Sequence, residues 1–169
     1  MEKLLFVPNP LLRQKAENID FVDTEEIKIA ERMKDIMLKA PGVGLAANQI
    51  GILKKIVTIF YVDQETKKEV SYNLFNPSII HYSNKKIFME EGCLSMPEQF
   101  AEIERPEQIT VEYLNEKNKL IKKEVGGVEA RILQHEIDHL SGKLFVDYLS
   151  SLKRNIMIKK VRKHLKNQD

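Results

Sequence analysis

Residues 134–140, Gln-His-Glu-Ile-Asp-His-Leu, determine how we interpret the rest of the chain. If this segment is helical, His135 and His139 lie one turn apart on the same face, so both imidazoles can bind one metal ion while Glu136 lies beside it. A hydrolytic metal site also needs a third protein ligand and an open position for water. The stretch therefore predicts half of a metal site, and the third ligand has to come from another part of the chain.

The composition is typical of one soluble domain. The chain has 169 residues, of which 43% are hydrophobic, so it can fill a single core, and we expect one domain over residues 1–169. The sequence has no run of about 18 apolar residues, and Pro8 and Pro10 interrupt the N-terminal apolar stretch before a signal-peptide core can form. We therefore expect a cytoplasmic protein without a membrane segment. A single cysteine, Cys93, rules out an internal disulfide and fits a reducing compartment.

Positive charge is concentrated at the C-terminus. The net charge of the chain is +2, yet residues 150–169 contain seven Lys and Arg residues against one acid, Asp169. Apolar residues recur there at roughly helical spacing, namely Leu152, Ile156, Val161 and Leu165. This pattern predicts a basic amphipathic helix over about 149–166. Such a helix can contact an anionic partner such as RNA, and a helix face that is only solvated gives the same pattern.

The remaining patterns predict one more long helix and several short strands. Asp23 and Glu26 form a capping pair, followed by apolar residues at helical spacing, which predicts a helix over about 24–38. A glycine-rich loop at 42–51 comes next. Strands are predicted at 56–62, 70–75 (ended by Pro77), 86–90, 99–104, 108–114 and 120–125. The short connections between them favour antiparallel sheets, and the metal-binding helix follows at 128–141.

Cys93 is the best candidate for the third metal ligand. The other two histidines, His81 and His164, lie in a polar turn and in the basic tail, so neither is an obvious partner. Cys93 lies in an irregular segment between two predicted strands, where a loop can direct a thiolate at a metal ion. A buried free cysteine is the alternative interpretation. The two-histidine helix favours ligation, and on ligand types alone a Cys-His-His set suits zinc.

Three segments together resemble one family. They are Gly42-Val43-Gly44-Leu45-Ala46-Ala47-Asn48-Gln49, Glu91-Gly92-Cys93-Leu94-Ser95 and Gln134-His135-Glu136-Ile137-Asp138-His139-Leu140. They resemble the three signature motifs of bacterial peptide deformylases, in the same order and at similar intervals, and the resemblance extends over essentially the whole chain. It implies an α+β fold in which antiparallel sheets wrap around a central metal-binding helix, with a C-terminal helix. It also implies removal of the formyl group from N-formylmethionine at the start of newly synthesised proteins, with release of formate.

The resemblance also implies the roles of individual residues. The metal ligands are Cys93, His135 and His139. Glu136 is the general base and acid, while the Gln49 side-chain amide and the Leu94 backbone N–H stabilise the oxyanion. On the residues alone, Gln49 could equally brace a loop, and Asn48 beside it could donate instead. The implied metal is ferrous iron, Fe2+, with Zn2+, Ni2+ or Co2+ able to occupy the same site.

Substrate contacts follow from the same resemblance. The peptide is expected to bind as an added strand along backbone groups of two loops, at Val43, Gly44 and Gly92, with apolar residues such as Val128 and Ile132 near the methionine pocket. Two positions depart from the family pattern. Phe100 stands where some members have an arginine, and Arg131 where some have an aliphatic pocket residue, so the composition of the pocket stays open.

Arg105 and Asp138 both match the family pattern, and we hypothesise that they form an ion pair that fixes the loop to the metal-binding helix. Two separately solvated charges are the alternative.

Two other functions remain open on the sequence. One is a zinc peptidase of the His-Glu-x-x-His type, although the chain downstream of the helix offers only His164 and acids such as Asp147 as a third ligand. The other is a binding module that uses the basic tail on RNA. Because bacterial deformylases dock near the ribosomal exit tunnel through a C-terminal helix, the resemblance implies the ribosome as a partner, beside the N-formylmethionyl nascent peptide. We expect a monomer.

Overall fold

The computed structural model describes residues 3–167, so Asp169, the acid of the basic tail, lies outside them. The α-helices are α1 (Thr24–Lys39), α2 (Gly127–Leu140) and α3 (Ser151–Lys166). The strands are β1 (Gly44–Ala46), β2 (Ile56–Val62), β3 (Glu69–Tyr82), β4 (Lys86–Cys93), β5 (Met96–Pro106), β6 (Gln108–Leu114) and β7 (Leu120–Gly126). One-turn 3-10 helices lie at Pro10–Arg13, Ala47–Ile50 and Phe145–Tyr148.

The strands form two antiparallel sheets, one on each side of helix α2. Five strands pair in the order β1-β2-β3-β6-β7, and β4 pairs with β5 in a separate two-stranded sheet. Helix α2 buries Ala130 and Leu133 in the core that it shares with the five-stranded sheet. From its other side, Arg131 and Gln134 donate hydrogen bonds to backbone carbonyls of β4 and β5. The predicted α+β fold, with antiparallel sheets around the metal-binding helix, is confirmed.

Strand β3 continues through Pro77, so the prediction that this residue ends the strand was wrong. The register of β3 against β6 shifts between Phe75 and Ser78, and Asn76 has a φ of 52°. A proline is tolerated at such a bulge because no ladder hydrogen bond is needed from its missing N–H. The Asn76 side chain holds the bulge by accepting from the Ile19 N–H and donating to the Ile19 carbonyl. The continuation of β3 through Pro77 therefore depends on a residue 57 positions away in the chain.

The glycine-rich segment predicted as a loop contains a short strand and a helical turn. Residues 44–46 form β1, an edge strand whose one partner is β2. The following 3-10 turn carries Asn48 and Gln49, both buried. A Cβ atom at Gly44 would lie 2.6 Å from Glu136 Oε1, so glycine is required here for the close approach of a side chain from α2.

Helix α3 buries only the C-terminal half of the face that was predicted, at Val161 and Leu165. It starts after the Ser150 N-cap, and its Met157 and Val161 are buried in a core cluster, with Ile158 and Leu165 packed against it. Leu152 and Ile156, which were predicted on the buried side, are 71% and 44% exposed. The buried stripe begins at Met157, and Ile156 lies one position earlier, about 100° around the helix. No helix within residues 3–167 has both the length and the apolar character needed to cross a membrane.

Candidate metal centre and catalytic cleft

The three predicted metal ligands lie together. Cys93 is the last residue of β4, and His135 and His139 are one turn apart on α2. The two Nε2 atoms are 3.2 Å apart, and the Cys93 Sγ lies 3.3 Å from the His139 Nε2. Ligand atoms of all three residues lie within 4.8 Å of one another. A thiolate and two imidazoles in this arrangement can hold a divalent cation and leave a fourth position open for water.

The pKa values of the two histidines shift in opposite directions. Burial lowers the pKa of His139 and the nearby His135 lowers it further, to well below its usual value. Burial acts in the same direction on His135, but hydrogen bonds to Cys93 and Glu91 outweigh it and raise the pKa of His135 well above its usual value. Opposite shifts are expected because two imidazolium ions cannot occupy adjacent buried positions. A divalent metal ion binds both rings in their neutral form, which removes the conflict.

Glu91 holds the His135 ring from behind. Its Oε2 lies 2.9 Å from the His135 Nδ1, so the Nε2 is directed at the ligand cluster. Arg105 donates to both carboxylate oxygens at 2.5 and 3.0 Å, and Arg131 donates to Oε1 at 2.9 Å. Burial would raise the pKa of Glu91, but hydrogen bonds from His135 and Arg105 outweigh it and hold that pKa well below its usual range. An ionised carboxylate in this position fixes the tautomer and orientation of a metal-binding histidine.

Arg131 points into the protein interior, at the position where some family members have an aliphatic pocket residue. Besides Glu91, its guanidinium donates to the Ile103 carbonyl of β5 and to the Ile87 carbonyl of β4, each at 2.8 Å. The side chain is buried. Arg131 therefore joins the helix that carries the two histidines to both strands of the hairpin that carries Cys93.

The ion pair hypothesised between Arg105 and Asp138 is present. The Arg105 Nη1 donates to the Asp138 Oδ2 at 2.8 Å and to the Tyr148 hydroxyl oxygen at 3.0 Å, while the Tyr148 hydroxyl donates to Asp138 at 2.7 Å. The Arg105 guanidinium also lies 4.5 Å from the centroid of the Tyr148 ring. We refer to Glu91, Arg105, Arg131, Asp138 and Tyr148 as the Glu91 network.

Glu136 lies beside the ligand cluster and faces the cleft. It is buried, and its Oε2 has no hydrogen-bond partner among the described residues. Burial raises the pKa of Glu136 to about 7, although the neighbouring His135 acts in the opposite direction. A carboxyl group that titrates near neutral pH can both accept and release a proton during a reaction.

Gln49 directs its amide NH2 group at the cluster. Its Oε1 accepts a hydrogen bond from the Ala46 N–H at 2.9 Å, which fixes the orientation of the amide. Its Nε2 then lies 3.1 Å from the Ser95 Oγ and 3.5 Å from the Cys93 Sγ. Leu94 follows Cys93 in the tight turn between β4 and β5, and its side chain packs over Gly42. Both predicted oxyanion donors are thus next to the ligand cysteine.

A cleft of about 910 Å³ opens onto the ligand cluster, at Cys93 and His135. The predicted site residues that line it are Val43, Gly44, Gln49, Gly92, Cys93, Leu94, His135 and Glu136. Strand β1 has a free edge because it is the outermost strand of its sheet, and β4 has one because it pairs only with β5. An extended peptide can add to such edges through backbone hydrogen bonds.

The two residues expected near the methionine pocket, Val128 and Ile132, do not line this cleft, and their place beside a bound methionine stays a prediction. Val128 lines a neighbouring cavity, which shares Val43 with the cleft, and Ile132 is buried in the core. Phe100 is at the mouth of the cleft, with its ring against Gly92.

Two important contacts were not predicted from the sequence. No role was predicted for Glu91, although it belongs to the same motif as Cys93 and lies two residues before it in β4. That spacing could have identified it as a partner of the metal site. Asn48 donates to the backbone carbonyl of His139 and so holds the turn that carries Gln49 against α2. Only the folded structure reveals this second contact.

Comparison with known proteins agrees with the geometry over the full length of the chain. The polypeptide deformylase family profile matches residues 1–155. The peptide deformylase of Pelagibacter ubique (strain HTCC1062) is 46% identical over 170 residues, which cover 99% of this chain and 97% of the relative. That of Rhizobium meliloti (strain 1021) is 40% identical over 168 residues, covering 99% and 96%.

Solved structures show the same similarity. The crystal structure of peptide deformylase from Ehrlichia chaffeensis matches with a TM-score of 0.94 at 34% identity, covering 99% of this chain and 98% of that one. A crystal structure of the Ehrlichia chaffeensis enzyme in complex with actinonin matches with a TM-score of 0.91 at 37% identity, covering 97% of each chain. The predicted relationship is confirmed, and this chain belongs to the polypeptide deformylase family.

Proposed function

We propose that this protein is a metal-dependent amide hydrolase that removes the formyl group from the N-terminal formylmethionine of newly synthesised polypeptides and releases formate. The observation that carries the proposal is the convergence of Cys93, His135 and His139 beside Glu136, in a cleft bounded by two free strand edges. Relatives that align over nearly the whole chain are peptide deformylases, and a similar structure was solved in complex with actinonin. We further propose that residues 1–169 form one catalytic domain.

The three metal ligands and Glu136 have defined tasks in this reaction. Cys93, His135 and His139 would hold the metal ion, which when bound activates water and polarises the formyl oxygen. Glu136 accepts a proton from the attacking water and then transfers it to the nitrogen of the leaving amine. Its pKa of about 7 suits both transfers.

The oxyanion that develops on the formyl oxygen needs hydrogen-bond donors. We assign the Gln49 Nε2 and the Leu94 backbone N–H to this role. The Ala46 N–H supports the assignment of Gln49, because it binds the Oε1 and leaves the amide NH2 group directed at Cys93.

The peptide would bind in an extended conformation between β1 and β4. On one side it would meet the backbone of Val43 and Gly44, and on the other that of Gly92. The free edges of these strands support this arrangement, because an added strand satisfies their outward backbone groups.

We propose ferrous iron as the metal, because the chain belongs to the polypeptide deformylase family and the resemblance to that family implies Fe2+. Zinc, nickel or cobalt would fit the same three donors. Metal analysis of protein purified anaerobically from its host would identify the ion. If iron is native, reconstitution with Fe2+ should give a higher turnover per bound metal than reconstitution with Zn2+.

Formate release from formyl-Met-Ala-Ser is the direct test of the proposed function. Anaerobically purified protein should release one formate for each new amino group, lose this activity with a chelator, and regain it when Fe2+ is added. A short peptide is the suitable substrate because it needs only the cleft. Cleavage of the Met-Ala bond without formate would contradict the proposal and support the zinc peptidase alternative.

We also propose that the protein works in the cytoplasm, as a monomer. Cys93 has to remain a reduced thiol to serve as a ligand, which requires a reducing compartment. Sedimentation velocity at micromolar concentration should give a single species of the 19.6 kDa chain. A dimer under those conditions would contradict this part of the proposal.

Helix α3 is the proposed contact with the ribosome. Met157 and Val161 anchor the helix to the core, and most of its basic side chains are exposed. A surface of this kind attracts RNA phosphates, and such binding weakens as salt rises. Because truncation would also remove the two anchors, charge reversal is the better test.

Changing exposed Lys159 and Lys163 to Glu should weaken ribosome binding and leave the turnover of short peptides unchanged. Matched reversals at exposed Lys117 and Lys119, in the turn between β6 and β7, should affect neither property. Equal ribosome binding by both double variants would contradict the proposed contact.

A further inference from the structure

An exposed apolar groove lies on the outer face of the β4–β5 hairpin. Phe88 and Phe100 are 65% and 63% exposed, and Ile156 of α3 is 44% exposed. Residues directly opposite each other in an antiparallel pair share a face, and the register pairs Gly92 with Phe100 and Phe88 with Glu104. Phe88 and Phe100 are therefore on the same side of the hairpin. With Leu149, Lys153 and Met157 they border a groove of about 500 Å³.

The groove and the catalytic cleft meet at Phe100. This residue lines both spaces. A Cβ atom at Gly92 would lie 2.6 Å from the Phe100 ring, so the ring covers the strand where the cleft wall ends. A chain that leaves the cleft on this side therefore meets Phe100 first and the groove next.

The dimensions match an extended polypeptide. Gly92 and Phe88 are four residues apart in β4, a distance of about 13 Å in a strand, which an extended peptide spans in the same number of residues. A peptide of three residues with its formyl group beside Glu136 ends before the groove, whereas a nascent chain continues beyond the cleft. The groove is thus within reach of residues about four to six positions from the N-terminus.

Two carboxylates near Phe88 and Phe100 disfavour acidic groups in a bound chain on the hairpin side, and Lys153 borders the groove on the α3 side. Glu90 and Glu102 are opposite each other on the same outer face as Phe88, and both are exposed. These carboxylates repel Asp and Glu in a bound chain. When apolar side chains of a bound peptide cover exposed aromatic and aliphatic side chains next to a binding cleft, the free energy of binding becomes more favourable.

We propose that the groove formed by Phe88, Phe100 and Ile156 binds apolar side chains of the substrate about four to six residues after its formylmethionine. The enzyme then distinguishes nascent chains by their downstream sequence as well as by their first residue. This inference rests on the proposed function, because the bound segment belongs to the formylated polypeptide.

The test compares substrates of two lengths on the full-length, metal-loaded protein. We expect formyl-Met-Ala-Ser-Leu-Ser-Leu to have a kcat/KM about tenfold higher than that of formyl-Met-Ala-Ser, through a lower KM, because an apolar side chain is partly buried. Replacing both leucines by Asp should abolish the gain.

Two groove variants locate the effect. Phe88→Ser and Ile156→Ser should each reduce the length gain to about twofold and leave the turnover of formyl-Met-Ala-Ser unchanged. Phe21→Ser is the matched control, because Phe21 is 66% exposed and precedes α1, outside the lining of the groove. This variant should retain the full gain.

Equal kcat/KM values for the two lengths in the unaltered protein would overturn the inference, while turnover of the short peptide would leave the proposed function intact. A length gain that persists in both groove variants would also overturn it. If neither peptide is deformylated, the proposed function fails and the inference fails with it.

Discussion

The two polar sides of helix α2 differ in how completely their groups are hydrogen-bonded. On the side that faces the cleft, the Glu136 Oε2 is buried without a partner in the described part of the chain. On the side that faces β4 and β5, the Arg131 guanidinium donates three hydrogen bonds and the Gln134 amide donates to the Pro106 carbonyl. One helix therefore carries a reactive side and a saturated side.

This difference indicates a division of labour. An unsatisfied buried polar group costs about 1–3 kcal/mol, so a fold keeps such groups where a metal ion, a substrate or a transferred proton uses them. The saturated side has the opposite property, because its charges are held in fixed positions by several partners. The Glu91 network thus orients His135 and the hairpin of Cys93, while Glu136 performs the proton transfers.

The largest effect is expected for Glu136→Gln, which removes the proton acceptor on the reactive side. Turnover should fall about 1,000-fold or more, while metal content and the free energy of unfolding stay close to the wild-type values. Formate release and metal analysis on the same sample measure both properties. Glu129→Gln, on the same helix but outside the cleft lining, is the control and should keep its kcat.

The pH dependence of kcat/KM tests the reactive side of α2 without a mutation. Glu136 must be ionised to accept a proton, so kcat/KM should fall as the pH drops through the pKa of this group. Burial raises that pKa to about 7, and a bound divalent cation favours the carboxylate, so the acid limb should lie below pH 7. An acid limb that is still present in Glu136→Gln would assign the titration to another group.

Glu91→Gln should reduce both metal affinity and stability, because it removes the central carboxylate of the Glu91 network. We expect metal affinity to fall about 10- to 100-fold because His135 loses its orienting carboxylate. Stability at neutral pH should fall by about 3–5 kcal/mol because Arg105 and Arg131 lose a buried counter-charge. Chelator competition and urea unfolding measure the two effects.

The difference in stability between wild type and Glu91→Gln should depend on pH in a defined direction. Hydrogen bonds lower the pKa of Glu91 in the folded state, so its stabilisation is present above the pKa of an unfolded glutamate and is lost as the pH falls. Wild type and Glu91→Gln should therefore differ most at neutral pH and converge in acid. A constant difference would contradict the role of the ionised carboxylate.

Arg131→Met should have a smaller effect than Glu91→Gln, because Arg105 still pairs with Glu91. The Ile103 carbonyl, which is buried, and the Ile87 carbonyl, which is partly buried, lose their donor, and we expect a loss of about 2 kcal/mol in urea unfolding. Arg154→Met is the matched control, since Arg154 is partly exposed and lies 4.0 Å from Asp147, and it should change stability by less than about 0.5 kcal/mol. Equal losses in both variants would contradict the clamping role of Arg131.

The smallest effect is the coupling between Arg105 and Asp138. If the pair acts as a unit, Arg105→Ala and Asp138→Ala combined should cost about 1 kcal/mol less than the sum of the single losses. Asp138 is partly exposed, which limits the value of the pair. Additive losses in a double-mutant cycle would show that each charge acts separately.

The sequence was most informative where a pattern is local. Four-residue spacing in a helix brings His135 and His139 together, and the predicted strand at 108–114 matches β6. Predictions failed where distant residues decide the outcome. Pro77 lies within a strand because Asn76 bonds to Ile19. Ile156 is exposed because Met157 and Val161, and not Ile156, pack in the core cluster with distant residues such as Ile103.

The site residues were assigned partly from local spacing in the sequence and partly from contacts between distant residues. Cys93 could be proposed as a metal ligand because the sequence offers few other candidates. The role of Arg131 could not be predicted, because it depends on the Ile87 and Ile103 carbonyls of the β4–β5 hairpin. No spacing in the sequence indicates whether a long cation points into the cleft or away from it. The supporting side of the site is therefore harder to predict than its ligands.

The most direct test of the division of labour measures metal content and formate release in Glu136→Gln and Glu91→Gln under the same conditions. The first variant should retain its metal and lose turnover. The second should lose its metal readily, yet each molecule saturated with metal should turn over within about tenfold of wild type. Wild-type turnover in Glu136→Gln, or an inactive but fully metal-loaded Glu91→Gln, would contradict the separation of chemistry from positioning on helix α2.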